Sequence, residues 1–390
     1  MSGNQFRVIV GSYEHNLLCL SLNLSLSTPV FTPIFHFQAH ILSVKCLDTS
    51  KRYLVSGSND EHIRIYDLQK RKELGTLLAH QGSITCLKFS KAKIPSKEEN
   101  VDEKKISNKW LLSASEDNKI IIWRVKDWEN FGTLKGHTAR INDLDVHPSN
   151  RVAVSVSEDH TIRLWNLMTV KKAAVLKLRG YSQNGQFVRW FGTEGNFFVV
   201  ALMNKVLIYK TATAKVHCEI DTGKSTIMQL ETETLNGVDY IVVGLNNGQV
   251  TFYNTTNLDD EEPTIKEAEF TLLGHTNRVK DMKFFTNDYG TYLLTIGSDG
   301  KIVVWDMKTR EQLAVYDSGE RLNCLAIYDE NTEKYDTMKK RQAETAEIDE
   351  QSEVESDTEE LKKAMFGEKP SKKRKRNKKN NVKKVSVQLE

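Results

Sequence analysis

Residues 157–165, Ser-Glu-Asp-His-Thr-Ile-Arg-Leu-Trp, set Ser157, Asp159 and Trp165 at fixed offsets, with His137 upstream in a Gly-His pair. Serine, histidine and aspartate are the members of a nucleophilic triad, in which the imidazole takes the hydroxyl proton and the carboxylate orients the imidazole. An added tryptophan allows a different chemistry. An indole N–H donates to the hydroxyl, the hydroxyl to the imidazole and the imidazole to the carboxylate. Such a series is tolerated in a protein interior because each buried polar group is paired, and it stiffens whatever it joins. The number of copies separates the two readings, because a triad is not normally repeated along one chain.

Here the pattern recurs. Aligned on its aromatic residue, it reads SGSNDEHIRIYD (56–67), SASEDNKIIIWR (113–124), SVSEDHTIRLWN (155–166) and TIGSDGKIVVWD (295–306), with weaker copies at 200–210 and 242–254. The anchoring aromatics Tyr66, Trp123, Trp165, Tyr209, Tyr253 and Trp305 are spaced mostly in the forties. His80, Ser115, Asp117 and Trp123 make one complete set, and His137, Ser157, Asp159 and Trp165 a second. His40, Ser58 and Asp60 make a third with Tyr66 in place of tryptophan, and His275, Asp299 and Trp305 a fourth in which Gly297 stands where serine is expected. The fourth and fifth units lack the set, although Asn247 occupies the aspartate position. Four repeated sets predict scaffolding and no catalytic residue.

To sit together, these residues need strands. Each copy is an apolar run, a polar tight turn and a second apolar run, the pattern of a hairpin. A period near forty suits one four-stranded blade. The motif resembles the WD40 family, and the resemblance implies an all-β propeller. Six units need a seventh. Residues 8–22 and 30–38 supply three strands, and residues 321–329 the missing innermost one. The expectation is a seven-bladed propeller over residues 1–330, closed by N- and C-terminal strands in one blade, which leaves no free sheet edge for aggregation. Insertions at 91–108 and 255–269 then fall on the face opposite the Gly-His loops, as solvated loops or, alternatively, as partner contacts. Trp128 and Trp190 are assigned to blade packing.

Residues 1–330 carry 39 Lys and Arg against 39 Asp and Glu, so the net charge of +3 lies in residues 331–390, which carry 16 against 13. That segment is acidic at 343–360 and basic at 369–384, with too little apolar content to offset chain entropy, and it is expected to be a disordered tail. Within it, Lys372, Lys373, Arg374, Lys375, Arg376, Lys378 and Lys379 have the density of a nuclear import signal or an RNA-phosphate contact. Ser356 and Glu359 have capping-box spacing for a short helix over 356–367, and Ser352, Ser356 and Thr358 precede acidic residues as acid-directed kinase sites do. Five cysteines without metal-ligand spacing fit a reducing compartment and small buried hydrophobes. No signal peptide or membrane-spanning run is evident, and no P-loop, HExxH or dinucleotide fingerprint is present. No membrane, cofactor, metal or small-molecule substrate is expected.

A propeller without a cofactor motif is a docking platform by default. Positions three and five past each histidine, with their equivalents in the closing unit, should lie on the Gly-His face: Arg140 and Asn142, Arg278 and Lys280, Arg321 and Asn323, interleaved with Glu116 and Glu158 from the turns. Arginine is favoured at binding hot spots, so these are the candidate partner-binding residues.

Several segments carry a narrower resemblance: 62–89, HIRIYDLQKRKELGTLLAHQGSITCLKF; 144–167, LDVHPSNRVAVSVSEDHTIRLWNL; 204–210, NKVLIYK; 275–285, HTNRVKDMKFF; and the basic tail. They resemble the p21-activated kinase-interacting WD-repeat proteins, a family that includes maintenance-of-killer-type fungal proteins. The resemblance implies a nucleolar assembly factor for the large (60S) ribosomal subunit, acting on pre-ribosomal particles beside a ribosomal-protein-like factor. Contact with pre-rRNA through the tail would fit that setting. The resemblance also implies an alternative role as negative regulator of a p21-activated kinase.

Overall fold

The computed structural model describes residues 4–26, 28–90, 109–192, 195–259, 265 and 267–333. These form seven four-stranded antiparallel sheets. Six are built from consecutive strands, and their first strands run Val44–Ser50, Ile84–Phe89, Ile141–Val146, Phe187–Phe191, Ile227–Leu235 and Val279–Asn287. They are numbered blades one to six in that order. The closing blade takes its innermost strand, Leu322–Asp329, from the far end of the chain and pairs it with Gln5–Ser12, followed by Asn16–Asn23 and Val30–Gln38. Each first strand contacts the next around the ring, and Leu322–Asp329 contacts both Val279–Asn287 and Val44–Ser50. The chain is thus an all-β, seven-bladed propeller whose two ends share one blade.

Burial explains the sequence pattern. Seven apolar clusters each join two neighbouring blades, so both faces of every sheet are covered. Strands such as Trp110–Ser115 therefore read as continuous buried runs without polar alternation. Trp190 is buried among Phe198 and His147, and Trp128 packs its edge against Tyr53, with ring centroids 5.2 Å apart.

The tight turns depend on their carboxylates. Asp60, Asp117, Asp159 and Asp299 each accept the amide two residues on, and Asn247 does the same for Gln249. This side-chain turn favours a following residue in the left-handed region, where Glu61, Asn118 and His160 are found at φ 69°, 64° and 57°. In blade six Gly300 occupies that position, at 79°, without the usual steric cost.

The insertion at 91–108, part of 255–269, the short helix over 356–367, the three phosphorylation candidates, and Lys372, Lys373, Arg374, Lys375, Arg376, Lys378 and Lys379 lie outside the described residues. Of the 255–269 insertion, Thr256–Asp259 forms a 3-10 turn and Ile265 is buried against blades four and five.

Candidate interaction face

The polar series is present, with one correction. Trp165 donates its indole N–H to Ser155 Oγ at 2.8 Å, Ser155 Oγ lies 2.8 Å from His137 Nε2, and His137 Nδ1 lies 2.8 Å from Asp159 Oδ2. The hydroxyl is that of Ser155, not Ser157. Likewise Ser113, not Ser115, bridges His80 and Trp123, and Ser56, not Ser58, meets His40. In blade six the apparent gap at Gly297 is filled by Thr295, whose hydroxyl lies 2.9 Å from His275 Nε2 and accepts the Trp305 N–H at 3.2 Å.

The reason is strand register. Ala153 pairs with Trp165 and Ser155 with Arg163, which places Ser155 diagonally across from the indole on the same face. Ser157 has passed beyond that ladder. Its hydroxyl donates to Ala139 O and accepts the Asp159 amide, so it tightens the turn. Ser58 and Ser115 do the same. Tyr66 brings no indole N–H to its set: its buried hydroxyl lies near Ser56 and Arg64 without a hydrogen bond of normal geometry among the described residues.

Electrostatics agree with a neutral imidazole carrying its proton on Nδ1. Burial pushes the pKa of His40, His137 and His275 below the ordinary value, against the pull of their aspartates. Burial alone would raise Asp159, yet hydrogen bonds from Thr161, His137 and the Thr138 amide hold its carboxyl below the usual range. A serine hydroxyl sealed between an indole and an imidazole is not open to a substrate.

A β-bulge recurs near the start of six first strands. The ladder steps from Val44 to Cys46, Ile84 to Cys86, Ile141 to Asp143, Ile227 to Gln229 and Val279 to Asp281, and in the closing blade from Leu322 to Cys324. A bulge removes one residue from pairing and re-aims its side chain. The skipped residues are Lys45, Thr85, Asn142, Met228, Lys280 and Asn323. Four of them are the positions five past a histidine, so the backbone itself presents this row on the Gly-His rim.

The rim residues fall into two groups. On one arc exposed Arg140 lies 3.3 Å from Glu116 and 3.7 Å from Glu158, and its Nε–H donates to Asn142. Asn142 in turn donates to Gly185 O in the next blade. On the other arc Arg278, Lys280 and Arg321 gather with Lys45, and Asn323 donates across the blade boundary to Val44 O at 3.0 Å. The two asparagines stitch neighbouring blades together, and the charged side chains face outward.

Below the rim lies a charged network that residue spacing alone does not reveal. Arg189 contacts Asp143 at 2.5 Å and Glu231 at 3.3 Å, and Lys283 pairs with Glu231. Asp48, Asp143, Asp145 and Asp281 accept the amides of Phe89, Val188, Trp190 and Leu325, each on a different blade from its acceptor. Asp143 and Asp281 sit six past their histidines, where Cys46, Cys86 and Cys324 stand elsewhere. Burial raises those three thiols well above their ordinary value. All five cysteines are free. Among the described residues no group of three or more His, Cys, Asp or Glu side chains is arranged to hold a metal.

Seven blades, three complete serial polar networks with a fourth that lacks its indole, and a bulged rim define a WD40 β-propeller, a scaffold fold built for protein–protein contact. The model for the WD domain, G-beta repeat, matches residues 31–67, 128–166 and 266–306. The chain is 62% identical to Protein MAK11 of Saccharomyces cerevisiae, over 99% of this chain and 98% of that protein. It is 32% identical to p21-activated protein kinase-interacting protein 1-like of Gallus gallus, over 76% of this chain and 73% of that one. With Shk1 kinase-binding protein 15 of Schizosaccharomyces pombe it shares 26% identity, over 90% of this chain and 95% of that one. The chain belongs to the WD40-repeat family that includes MAK11 and the p21-activated kinase-interacting proteins.

Proposed function

We propose that this chain is a non-enzymatic docking scaffold in assembly of the large ribosomal subunit, acting in the nucleus and nucleolus. The observation that carries the reading is the full-length likeness to the yeast protein, taken with the ribosome-assembly role that the family resemblance implies. Two features support it. The polar sets are closed structural networks with no hydroxyl left for chemistry. The basic run at 372–379 has the composition of an import signal or an RNA-phosphate contact. In this reading the propeller rim grips a protein of the pre-60S particle and the tail adds nuclear import and affinity for pre-rRNA.

The second reading, an adaptor that restrains a p21-activated kinase, is favoured by the names of the chicken and fission-yeast relatives, which describe kinase binders. Affinity purification of the tagged full chain separates the two. Large-subunit precursor rRNA and particle proteins, with nuclear signal and salt-sensitive association both reduced when residues 369–384 are deleted, support the assembly role. Recovery of a kinase without precursor rRNA, indifferent to that deletion, overturns it in favour of the adaptor.

A further inference from the structure

We propose that Lys45, Arg278, Lys280 and Arg321 form a binding arc for an acidic peptide segment that also carries large apolar side chains. The proposal rests on the docking reading and names the chemistry of what docks. The four residues come from blade six, the closing blade and blade one, whose innermost strands are adjacent. Bulges lift Lys45 and Lys280 out of their ladders. Lys45, Arg278 and Arg321 are exposed, and Lys280 is half-buried between them.

Among the described residues none of the four is in an ion pair. Of the carboxylates next to them in sequence, Glu320 is turned away to Asn16 and His36, each at 2.9 Å, and buried Asp281 accepts from Gln229 and from the Met282 and Leu325 amides. Arg140, by contrast, is neutralised by Glu116 and Glu158 on its own arc. The lack of compensation shows in Lys280: burial, then the charges of Arg321, Arg278 and Lys45, bring its pKa down to about 8. A carboxylate placed among these groups would be attracted by all four.

The apolar part of the ligand follows from what borders the arc. Tyr13, 55% exposed, lies beneath the Arg321 guanidinium at 5.4 Å, and its amide donates to Arg321 O. Ile41 and Leu42, 68% and 46% exposed, stand in the loop that leads to Lys45. Large apolar side chains exposed beside unpaired cations mark an interaction surface. Sequence-tolerant binding of single-stranded nucleic acid uses a long cationic groove with stacking aromatics. This arc is short, Glu14 and Glu61 stand in the adjoining turns, and Ile41 and Leu42 offer nothing to stack on. An acidic, partly apolar peptide fits better.

The test uses the full chain with the lysines and arginines of 372–379 changed to glutamine, so that the tail does not compete. Fluorescence anisotropy is read with three short probes of equal length: an acidic peptide pool with interspersed Leu and Phe, the same pool with Lys for every acid, and a single-stranded RNA. The expected result is binding of the acidic pool alone, weakened at least about tenfold by Arg321→Gln and by Arg278→Gln, and unchanged by Lys308→Gln on the opposite face. Circular dichroism and melting temperature establish that each variant is folded. Because Lys280 is half-buried, Lys280→Gln is a confirming variant and not the deciding one. The arc is overturned if the acidic pool does not bind, if it binds the folded Arg variants equally well, or if RNA binds more tightly and is lost with the same substitutions. Such a failure leaves the particle co-purification, which judges the docking reading, untouched.

Discussion

The Arg7 guanidinium meets the Glu333 carboxylate at 3.3 Å, although 326 residues separate them. Arg7 also reaches Glu330 at 2.7 Å and donates to Ser21, while Glu333 accepts from Tyr328 and pairs with Arg71 of blade one at 2.8 Å. This clasp holds the last described residues against the strand that begins the chain, at the point where the ring closes. Backbone pairing of Gln5–Ser12 with Leu322–Asp329 supplies the ladder. The clasp anchors its outer end.

Arg7→Met removes one of two cations from Glu333, whose side chain is only 6% exposed, leaving it Arg71 and the Tyr328 hydroxyl, and takes from Glu330 its Arg7 partner. Loss of one member of a buried pair costs about 3–5 kcal/mol. The expected outcome is a drop of that order in urea unfolding free energy. Truncation after Asp329 removes Glu330 and Glu333 together, leaves Arg7 uncompensated, and should destabilise comparably. A loss no larger than that of an exposed ion pair would show that the ladder alone closes the ring.

The serine correction is tested by coupling. Ser155→Ala and Trp165→Phe remove two ends of one hydrogen bond, so their double-mutant cycle should show an interaction energy of about 0.5–3 kcal/mol. Ser157→Ala with Trp165→Phe should be additive to within about 0.5 kcal/mol. Both serine variants will destabilise, since both hydroxyls are bonded, and only the coupling separates their roles.

Stability should fall on mild acidification. His40, His137 and His275 are held neutral in the fold, below the ordinary value of 6.5. The unfolded chain therefore binds more protons near that pH, and unfolding free energy rises with pH through that region. Going down in pH, stability is lost from about 6.5, and the depressed Asp60, Asp117, Asp159 and Asp299 add a loss of the same sign near 3.8. Melting temperature from pH 8 to pH 5 measures this, and His275→Gln should flatten part of the slope. A flat profile would mean that folded and unfolded chains take up protons equally and that burial does not depress the imidazoles.

Arg189 is the cation around which Asp143 and Glu231 are arranged. Arg189→Met should cost about 3–5 kcal/mol by leaving buried Asp143 uncompensated, while Glu231 keeps Lys283. Changing Asp143 to Asn in the same chain should recover part of that loss, because an amide can still accept from the Val188 amide without carrying charge. Absence of recovery would place the cost in packing.

Much of this protein was legible from residue order alone. Repetition of a Gly-His or Ala-His pair, aspartate and aromatic at blade spacing determined the architecture, and the apolar runs at the two ends determined the closure, because a ring with six units and two unpaired ends has one economical solution. The turn aspartates were equally readable, since their chemistry is local. What tertiary structure decided is which side chains face each other. Ser155 and Ser157 differ by two positions on one strand, and only register against the Trp165 strand distinguishes the bridging hydroxyl from the turn hydroxyl. Thr295 was hidden for the same reason, behind a glycine at the wrong offset. The division of the rim into a neutralised arc at Arg140 and an uncompensated one at Lys280 also depends on bulges and blade adjacency, which bring Lys45 and Arg321 together across 276 positions of chain.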